Sequence, residues 1–368
     1  MSAERDLQLR LATREDEPDI RALVGSVAMP GAVSVRFERQ PDYFLGTSIM
    51  GETCEVLLAR HRPDGRLAGM GCRAERRAYV NGQESQLGYI GQIRVGAGFR
   101  GTWLVQRGAR WFAEHSDPDL VHFGVIASEN SRARALLTGD RLPGGVHVRR
   151  LCGITTCAIV LREPSGESGK GIDVRSGSVD TMGEIVEFLR IQGRQRQFFP
   201  AYTVADFLGG ERMRGLALED IMVARRNKEV VGVMAAWDQA AYKQDVVDGY
   251  GPTLRRFRPV YNLLGRLFGF APLPAPGAPI DMAFAACVCV AHEDLQVMRA
   301  LLAACARHAR RRGKAFLMLG LSDNDPLLGA VAGRLRITYH SELFAAAWSP
   351  EPLARLDARM PHVEIATL

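Results

Sequence analysis

A glycine-rich loop, RVGAGFRGTWLVQRG (residues 94–108), lies between an apolar, strand-like segment and a segment with helical periodicity. Loops at this position often bind phosphate groups, because backbone N–H groups and the positive end of the helix point toward the anion. Gly96, Gly98 and Gly101 also match the dinucleotide fingerprint G-x-G-x-x-G. That fingerprint opens its domain and precedes an acidic residue by about 20 positions, whereas here the glycines follow a long hairpin-like region. The next strand ends in an acid only at Glu129, so a dinucleotide site is not favoured.

The length and composition indicate a folded protein with two domains. At roughly 150 residues per domain, 368 residues correspond to about two cores. Hydrophobic residues make up 47% of the chain and charged residues 24%, which is ordinary for a globular protein. The net charge of +6 suits an anionic ligand such as a nucleotide-bearing cofactor. It is not the concentrated basic stripe that nucleic-acid binding normally needs.

The cysteines and the N-terminal sequence predict the cellular compartment of the protein. Seven cysteines, an odd number, lie mostly in apolar segments, which predicts free buried thiols and a reducing cytoplasm. Cys287 and Cys289 form C-x-C without a second pair, so no metal site is expected. The N-terminus MSAERDLQLR is charged and predicts no signal peptide. No run of 18 apolar residues occurs, so no transmembrane segment is expected.

The chain contains an internal repeat. LATREDEPDIRALV (11–24) aligns with SGSVDTMGEIVEFL (176–189), and both read as a strand followed by an amphipathic helix. Farther on, VIASEN (125–130) aligns with LGLSDN (319–324). The offset between the copies increases along the chain, which places an insertion at residues 243–279 of the second half.

The repeat predicts two domains, residues 1–163 and residues 164–368, joined by the polar, glycine-rich linker REPSGESGKG (162–171). Each half reads as strand, helix, helical turn, hairpin of two strands, long strand, long helix, strand, short helix and two closing strands. This order predicts an α/β fold with a mixed sheet in each half. The clearest helix of the second half is predicted over 293–312.

Two motifs carry a resemblance to a known family. IRVGAGFRGTWL (93–104) is similar to a strand ending in Val followed by an Arg/Gln-x-x-Gly-x-Gly/Ala loop and a long helix, and NSRA (130–133) is similar to an N-x-x-A motif. Each half thereby resembles the GNAT superfamily of acyl-CoA-dependent N-acetyltransferases, and the tandem resembles its double-domain members. The resemblance spans nearly the whole chain. It implies two tandem GNAT-like domains and an N-acyltransferase, in the family an N-acetyltransferase, that uses acetyl-CoA or another acyl-CoA and an amine acceptor.

The resemblance also implies a binding site in the first half. The expected cofactor-binding residues are Ile93, Arg94, Val95, Arg100, Gly101, Thr102, Trp103 and Asn130. Among them, the strand 93–95 would offer a backbone N–H to the thioester carbonyl, and the loop would hold the CoA pyrophosphate. The two small positions of the family loop are Trp103 and Val105 here, so the later amides are less accessible to phosphate.

The second half lacks this loop. VAHEDLQVM (290–298) stands in its place, and Glu293 and Asp294 occupy the helix start where phosphates would bind. Carboxylates there satisfy the helix dipole and repel a pyrophosphate. The second half is therefore expected to be a structural partner or the substrate-side wall of a site in the first half.

The chemistry of the first half rests on few side chains. Tyr89 lies on the strand before the loop, and Glu129 is the carboxylate nearest to the inferred cleft, so these two are the predicted catalytic residues. For Glu129, a role in capping the next helix is an open alternative, because serine, acid and asparagine recur at 322–324.

The insertion leaves several functions open. In residues 253–270, TLRRFRPVYNLLGRLFGF, arginines alternate with apolar residues, which is typical of a lid, a segment on an anionic membrane surface, an RNA contact, or an arm packed on the other domain or a dimer partner. Two functional alternatives to acyl-CoA transfer also remain. One is a transferase that uses aminoacyl-tRNA or another carrier, and the other is a non-catalytic binding or assembly protein with the same fold.

Overall fold

The structure is a computed structural model that describes residues 6–29, 31, 33–100, 102–138, 145–162, 171–268 and 272–368. Gly101 of the predicted phosphate loop, most of the predicted linker (163–170) and residues 269–271 of the insertion lie outside the described residues. Seven cysteines are unpaired, and all except Cys54 are buried, as the sequence predicted. No helix in the described ranges is both long and apolar enough to cross a membrane.

The first half contains strands that begin and end near the predicted turns. Its strands are β1 (Leu7–Leu11), β2 (Ala28–Met29), β3 (Val33–Glu38), β4 (Thr53–His61), β5 (Leu67–Val80), β6 (Gln83–Val95), β7 (His122–Ala127) and β8 (His147–Val160). Its helices are α1 (Glu17–Gly25), α2 (Tyr43–Thr47), α3 (Thr102–Glu114) and α4 (Ser131–Thr138). Short polar turns join β4 to β5 and β5 to β6, so these strands form a meander.

The second half repeats this order with an insertion. Its strands are β9 (Asp173–Ser176), β10 (Ile221–Arg226), β11 (Glu229–Trp237), β12 (Gln244–Tyr250), β13 (Met282–Val290), β14 (Phe316–Ser322) and β15 (Arg336–Ala347). Its helices are α5 (Met182–Gly193), α6 (Val204–Phe207), α7 (Pro252–Phe268), α8 (Leu295–Arg311) and α9 (Pro350–Ala354). Helix α8 is the helix that the sequence predicted over 293–312.

Both halves contribute to one sheet of twelve strands, in the order β1-β4-β5-β6-β7-β15-β8-β14-β13-β11-β10-β9. The pairs β6–β7 and β13–β14 are parallel, and the other pairs of this sheet are antiparallel. The predicted α/β fold with a mixed sheet is thereby confirmed. Its apolar faces are covered by helices, with α1, α2 and α5 in the large core cluster and α8 in a second cluster.

The centre of the sheet differs from the prediction of two closing strands in each half. Each half has a single long closing strand, and the two strands are exchanged between the halves. β15 of the second half pairs with β7, while β8 of the first half pairs with β14, and the two exchanged strands pair with each other. One long strand per half is sufficient here, because the partner's strand supplies the second neighbour.

The insertion adds a second, three-stranded sheet in the order β12-β3-β2. β12 pairs antiparallel with β3 of the first half, for example Val247 with Val35. β12, at the start of the insertion, therefore packs on the first half, ahead of the arginine-rich segment 253–270. Helix α7 follows β12, and its polar contacts reach the returning chain, where Arg258 Nε and Asn262 Nδ2 donate to the carbonyl oxygen of Leu273.

Candidate active site

The strands β6 and β7 lie side by side only briefly and then separate. They pair at Gly88 with His122 and at Tyr89 with Phe123. Glycine is needed at position 88, because a Cβ there would collide with the His122 ring. Beyond these pairs, β6 continues along β5 to Val95 and β7 follows β15. We call the resulting opening the first-half wedge.

A β-bulge interrupts β6 at this wedge. After the pair of Met70 with Arg94, the register against β5 shifts by one residue, and Gln92 has a left-handed φ of 52°. The second half repeats the feature in β13, where Cys287 has a φ of 53° and the register against β11 shifts. A bulge re-aims side chains and takes backbone groups out of the ladder. The repeat therefore includes a local distortion that neither glycine nor asparagine marks in the sequence.

An apolar cavity of about 360 Å³, here called the first cavity, occupies the first-half wedge. β6, β7 and α3 form its walls together with the exchanged strands β8 and β15. Its polar lining residues are Tyr89, Gln92, Arg94, Asn130 and Trp348. Among the described residues that line it, none is a carboxylate or a histidine.

The predicted site residues divide into two groups. The structure brings together around the first cavity Tyr89, Ile93, Arg94, Val95 and Asn130. Arg100 is exposed just before α3, and Thr102 is the first residue of that helix. Trp103 packs against the small cluster of Leu7, Ala59, Ala68 and Leu104 and does not line the cavity.

Tyr89 lies at the inner end of the wedge. Its ring packs against Phe123 with 5.1 Å between centroids, and its side chain is buried. A Cβ at Gly91 would collide with the Tyr89 hydroxyl, so that hydroxyl lies directly over the backbone next to the bulge. Burial raises the pKa of Tyr89, which keeps the phenol protonated at neutral pH.

Glu129 faces a different cavity. It lines a volume of about 210 Å³, the second cavity, together with Asp245, Tyr250 and Tyr339. Met29 and Ala127 line both cavities, which are therefore adjacent.

The capping role considered for Glu129 belongs to its neighbour. Asn130 Oδ1 accepts the Ala133 N–H at 3.1 Å and so caps α4. The Glu129 carboxylate instead faces the second cavity.

The corresponding wedge of the second half is filled by the chain itself. β13 and β14 pair at three positions and then separate, as β6 and β7 do. Glu364 lies in this wedge, and its Oε2 accepts the Cys287 N–H of the bulge at 2.7 Å and the Tyr202 hydroxyl at 3.1 Å. The side chain of Ile365 packs so closely on Gly320 that no Cβ would fit there. This segment was not predicted from the sequence, where the available signal is a single carboxylate within the apolar stretch HVEIATL (362–368).

The helix start of the second half is occupied by carboxylates with partners. Asp294 Oδ1 accepts the N–H groups of Gln296 and Val297 and caps α8, as expected from its position. Asp294 also pairs with Arg226 at 2.8 Å, and Glu293 pairs with Arg196 at 2.9 Å. In contrast, residues 94–108 contain no acidic residue. The two helix starts therefore differ in electrostatic sign.

Comparison with known proteins identifies the fold. No protein-family model matches the sequence, and neither does any curated protein sequence. The structure is similar to N-myristoyltransferase from Saccharomyces cerevisiae with bound myristoyl-CoA, with a TM-score of 0.57, 9% identity, and coverage of 96% of this chain and 87% of that chain.

A second similar structure belongs to an acetyltransferase region. It is the GCN5-related glucosamine N-acetyltransferase region of a fungal multi-domain β-N-acetylglucosaminidase, with a TM-score of 0.58 and 12% identity. The match covers 92% of this chain and 38% of that chain. At these identities the likeness concerns the fold alone, which this chain shares with N-myristoyltransferase and with the GCN5-related acetyltransferase region.

Proposed function

We propose that the protein is an N-acyltransferase that moves an acyl group from acyl-CoA, acetyl-CoA in the simplest case, to an amine of its acceptor. The site lies in the first half, and the second half serves as a structural partner. The observation that carries the proposal is the difference between the two wedges. The first opens on an apolar cavity beside a helix start free of acids, whereas the second holds Glu364 and a carboxylate-capped helix.

The loop before α3 would hold the CoA pyrophosphate. Backbone N–H groups from Thr102 onward belong to the start of α3, where an anion is stabilised by the helix dipole. The Arg100 side chain is exposed beside them and adds a positive charge. The pantetheine arm would then run along Ile93 and Val95 toward the first cavity, with Asn130 on the opposite wall. Trp103 packs on its own cluster and would border the phosphates.

The reaction needs three contributions from the chain. The amine nitrogen attacks the thioester carbonyl, the C–S bond breaks, the thiolate accepts a proton and the new amide nitrogen loses one. A backbone N–H of Ile93 to Val95 would polarise the carbonyl at the bulge. The Tyr89 hydroxyl is protonated and lies beside the bulge, so it is the proposed donor to the thiolate. Glu129 would receive the amine proton through the adjoining second cavity.

Calorimetric titration with acetyl-CoA and with longer acyl-CoAs tests the proposal. We expect saturable binding to one site, and Arg100→Ala should weaken it about tenfold, as expected for loss of one exposed charge contact to a phosphate. Arg110→Ala is the matched control, because Arg110 is also exposed on α3 but lies two turns from its start. Absence of binding by every acyl-CoA, or equal losses in the two variants, would reject the proposed site. A product analysis with radiolabelled acetyl-CoA then identifies the amine.

We further propose that residues 253–270 contact an anionic surface, specifically a membrane surface with anionic lipids. Helix α7 packs through one narrow face and exposes Phe257, Val260, Leu263 and Leu264. No acidic residue occurs in Pro252–Phe268, and Arg255 and Arg256 are exposed on the same helix. An exposed apolar stripe flanked by arginines is the pattern of a helix that lies in a lipid interface.

We also propose a reducing, cytoplasmic location for the protein. The support is chemical, since all seven cysteines are unpaired and burial raises the pKa of Cys287, Cys289 and Cys305. Buried thiols of this kind act as small apolar side chains.

A further inference from the structure

Arg94 faces away from α3, the helix that follows the loop proposed to bind phosphate. In β5, a Cβ at Gly69 would meet Leu104 of α3, so this residue faces α3. Met70, the next residue, points to the opposite face, and it is the direct partner of Arg94 in β6. Cross-strand partners share a face of the sheet. The Arg94 side chain is therefore on the opposite side of the sheet from the loop proposed to bind CoA phosphates.

The positive charge of Arg94 has little compensation. Its guanidinium lies over the Phe37 ring at 5.6 Å, and Nη1 donates to the neighbouring Ile93 carbonyl oxygen at 3.0 Å. Its Nε is buried without a hydrogen-bond partner in the part of the chain that the structure describes. No described carboxylate lies within 4.0 Å of its nitrogens. Burial lowers the pKa of Arg94. The groups that raise this pKa are Tyr43, Tyr89 and Cys72, and none of them is a carboxylate.

A second arginine and two polar groups lie in the same region. Arg39 is 2% exposed, stacks over the same Phe37 ring at 5.4 Å and donates to the carbonyl oxygen of Glu38. The carboxylate that most favours its charge is Asp245, which is beyond ion-pair distance. Gln92 Oε1 and the Tyr43 hydroxyl are buried without described partners. A buried cation normally has an anionic partner, because desolvation of an isolated charge is costly.

Of the two arginines, only Arg94 lines the first cavity. Arg94 and Gln92 line the first cavity beside Tyr89, whereas Arg39 does not. The rest of this region of the cavity is apolar and includes Met29 and Met70. A ligand there would place a planar anion on the guanidinium and an apolar group next to it.

We propose that Arg94 binds a carboxylate of the acceptor, so that the acceptor is an amine that also carries a carboxylate, an amino acid with an apolar side chain. This inference rests on the proposed acyl transfer and specifies its second substrate. The guanidinium offers two parallel N–H groups to a carboxylate, a geometry that a neutral amide cannot match. The second cavity offers the opposite charge for the amine, since Asp245 and Glu129 line it.

The test compares amino acids with their amides as acceptors. Phenylalanine and leucine are assayed against phenylalaninamide and leucinamide with acetyl-CoA, in wild type, Arg94→Met and Arg94→Lys. We expect Arg94→Met to lower kcat/KM for the amino acids on the order of 100-fold and for the amides less than about threefold. Arg94→Lys keeps the positive charge but loses the paired N–H groups of the guanidinium. Its kcat/KM for the amino acids should lie between those of wild type and Arg94→Met. Arg36→Met is the control, since Arg36 lies on β3 next to Phe37 but points to its other face and pairs with Glu38.

Two further arms separate the possible outcomes. Succinyl-CoA and butyryl-CoA are compared as donors, and a selective loss of succinyl transfer in Arg94→Met would assign the carboxylate to the acyl group and overturn the inference. Equal losses for amino acids and amides would also overturn it. Calorimetry with N-acetylphenylalanine and its amide measures recognition without turnover. Carboxylate-dependent binding that Arg94→Met abolishes would support the inference even if acyl-CoA binding failed, so the two proposals can fail separately.

Discussion

His122 is a buried histidine at the point where β6 and β7 separate. Its side chain is fully buried, and Nδ1 lies 3.1 Å from the carbonyl oxygen of Leu120. Nε2 has no hydrogen-bond partner within the described ranges, and the ring packs edge-on against Trp348. Burial, the largest cause, lowers the pKa of His122 to about 4. The folded protein therefore holds this imidazole in its neutral form over a wide pH range.

The lowered pKa predicts a loss of stability in mild acid. Between the ordinary histidine pKa of about 6.5 and about pH 4, the unfolded chain binds a proton at His122 that the folded chain does not. The free energy of unfolding should therefore decrease as the pH falls through this window. Urea denaturation at pH 7.5 and 4.5 should show that His122→Asn removes about 2 kcal/mol of this decrease. An identical decrease in wild type and variant would contradict the assignment.

At the residue scale, the sequence could place Arg94 in the site but could not orient it. Tyr89 and Arg94 are five positions apart, so strict alternation along β6 puts them on opposite faces of the sheet. The bulge at Gln92 adds one residue, and both side chains then lie on the same face. A left-handed residue is usually marked by glycine or asparagine, and glutamine gives no such signal. The bulge at Cys287 could not be predicted for the same reason, because cysteine gives no such signal either.

Helix α7 has apolar residues on both its buried face and its exposed face. Its buried contacts involve Leu254 and Tyr261, which pack against the core, whereas Phe257 and Leu263 are 58% and 61% exposed. The amphipathic pattern was visible in the sequence. Which apolar residues face inward was not, because both faces of the helix contain apolar residues.

The proposed lipid contact predicts binding to anionic vesicles. Wild-type protein should co-sediment with phosphatidylserine-containing vesicles and much less with pure phosphatidylcholine, because arginines and apolar residues act together. The double variant Phe257→Ser and Leu263→Ser should lose most of this binding. Val179→Ser is the matched control, since Val179 is 66% exposed on another element. Saturable, salt-dependent binding to single-stranded RNA without vesicle binding would contradict the lipid contact and would indicate that this segment binds nucleic acid.

Element positions were predictable where local signals are strong. The helix over 293–312 was predicted from its apolar stripe, and Asp294 begins it by accepting two backbone N–H groups. The closing strands were harder, because β8 and β15 read as long apolar-alternating segments in either half. Their partners are far apart in sequence, and periodicity does not indicate which strand pairs with which.

At the scale of the whole molecule, the exchanged strands join the two halves. β15 pairs with β7 of the first half from Ser341 to Ala346, and β8 pairs with β14 of the second half from Ile154 to Val160. The internal repeat predicted two similar units, 1–163 and 164–368. It could not predict the exchange, because an aligned repeat describes each copy without its neighbour.

The exchange predicts that the halves remain associated after cleavage. After complete cutting at a protease site inserted within 163–170, both fragments should co-elute in size-exclusion chromatography at unchanged volume. Separation requires breaking the large sheet at β7–β15, β15–β8 and β8–β14 and the small sheet at β12–β3, so it should occur only with global unfolding. Fragments that separate in native buffer would contradict this account. Each fragment expressed alone should aggregate, because its sheet then has an open edge strand.

The position of β15 also affects how the protein folds during synthesis, because β15 is translated long after its neighbours in the first half. Phe344 and Ala346 of β15, with Trp348 directly after it, form part of the first-cavity wall, although the rest of that wall is synthesised much earlier. While the ribosome translates the second half, β7 has an unpaired edge on the side where β15 will later bind. In the nascent first half, β7 and β8 therefore lack their native neighbours, and the first cavity is completed only after β15 has been synthesised.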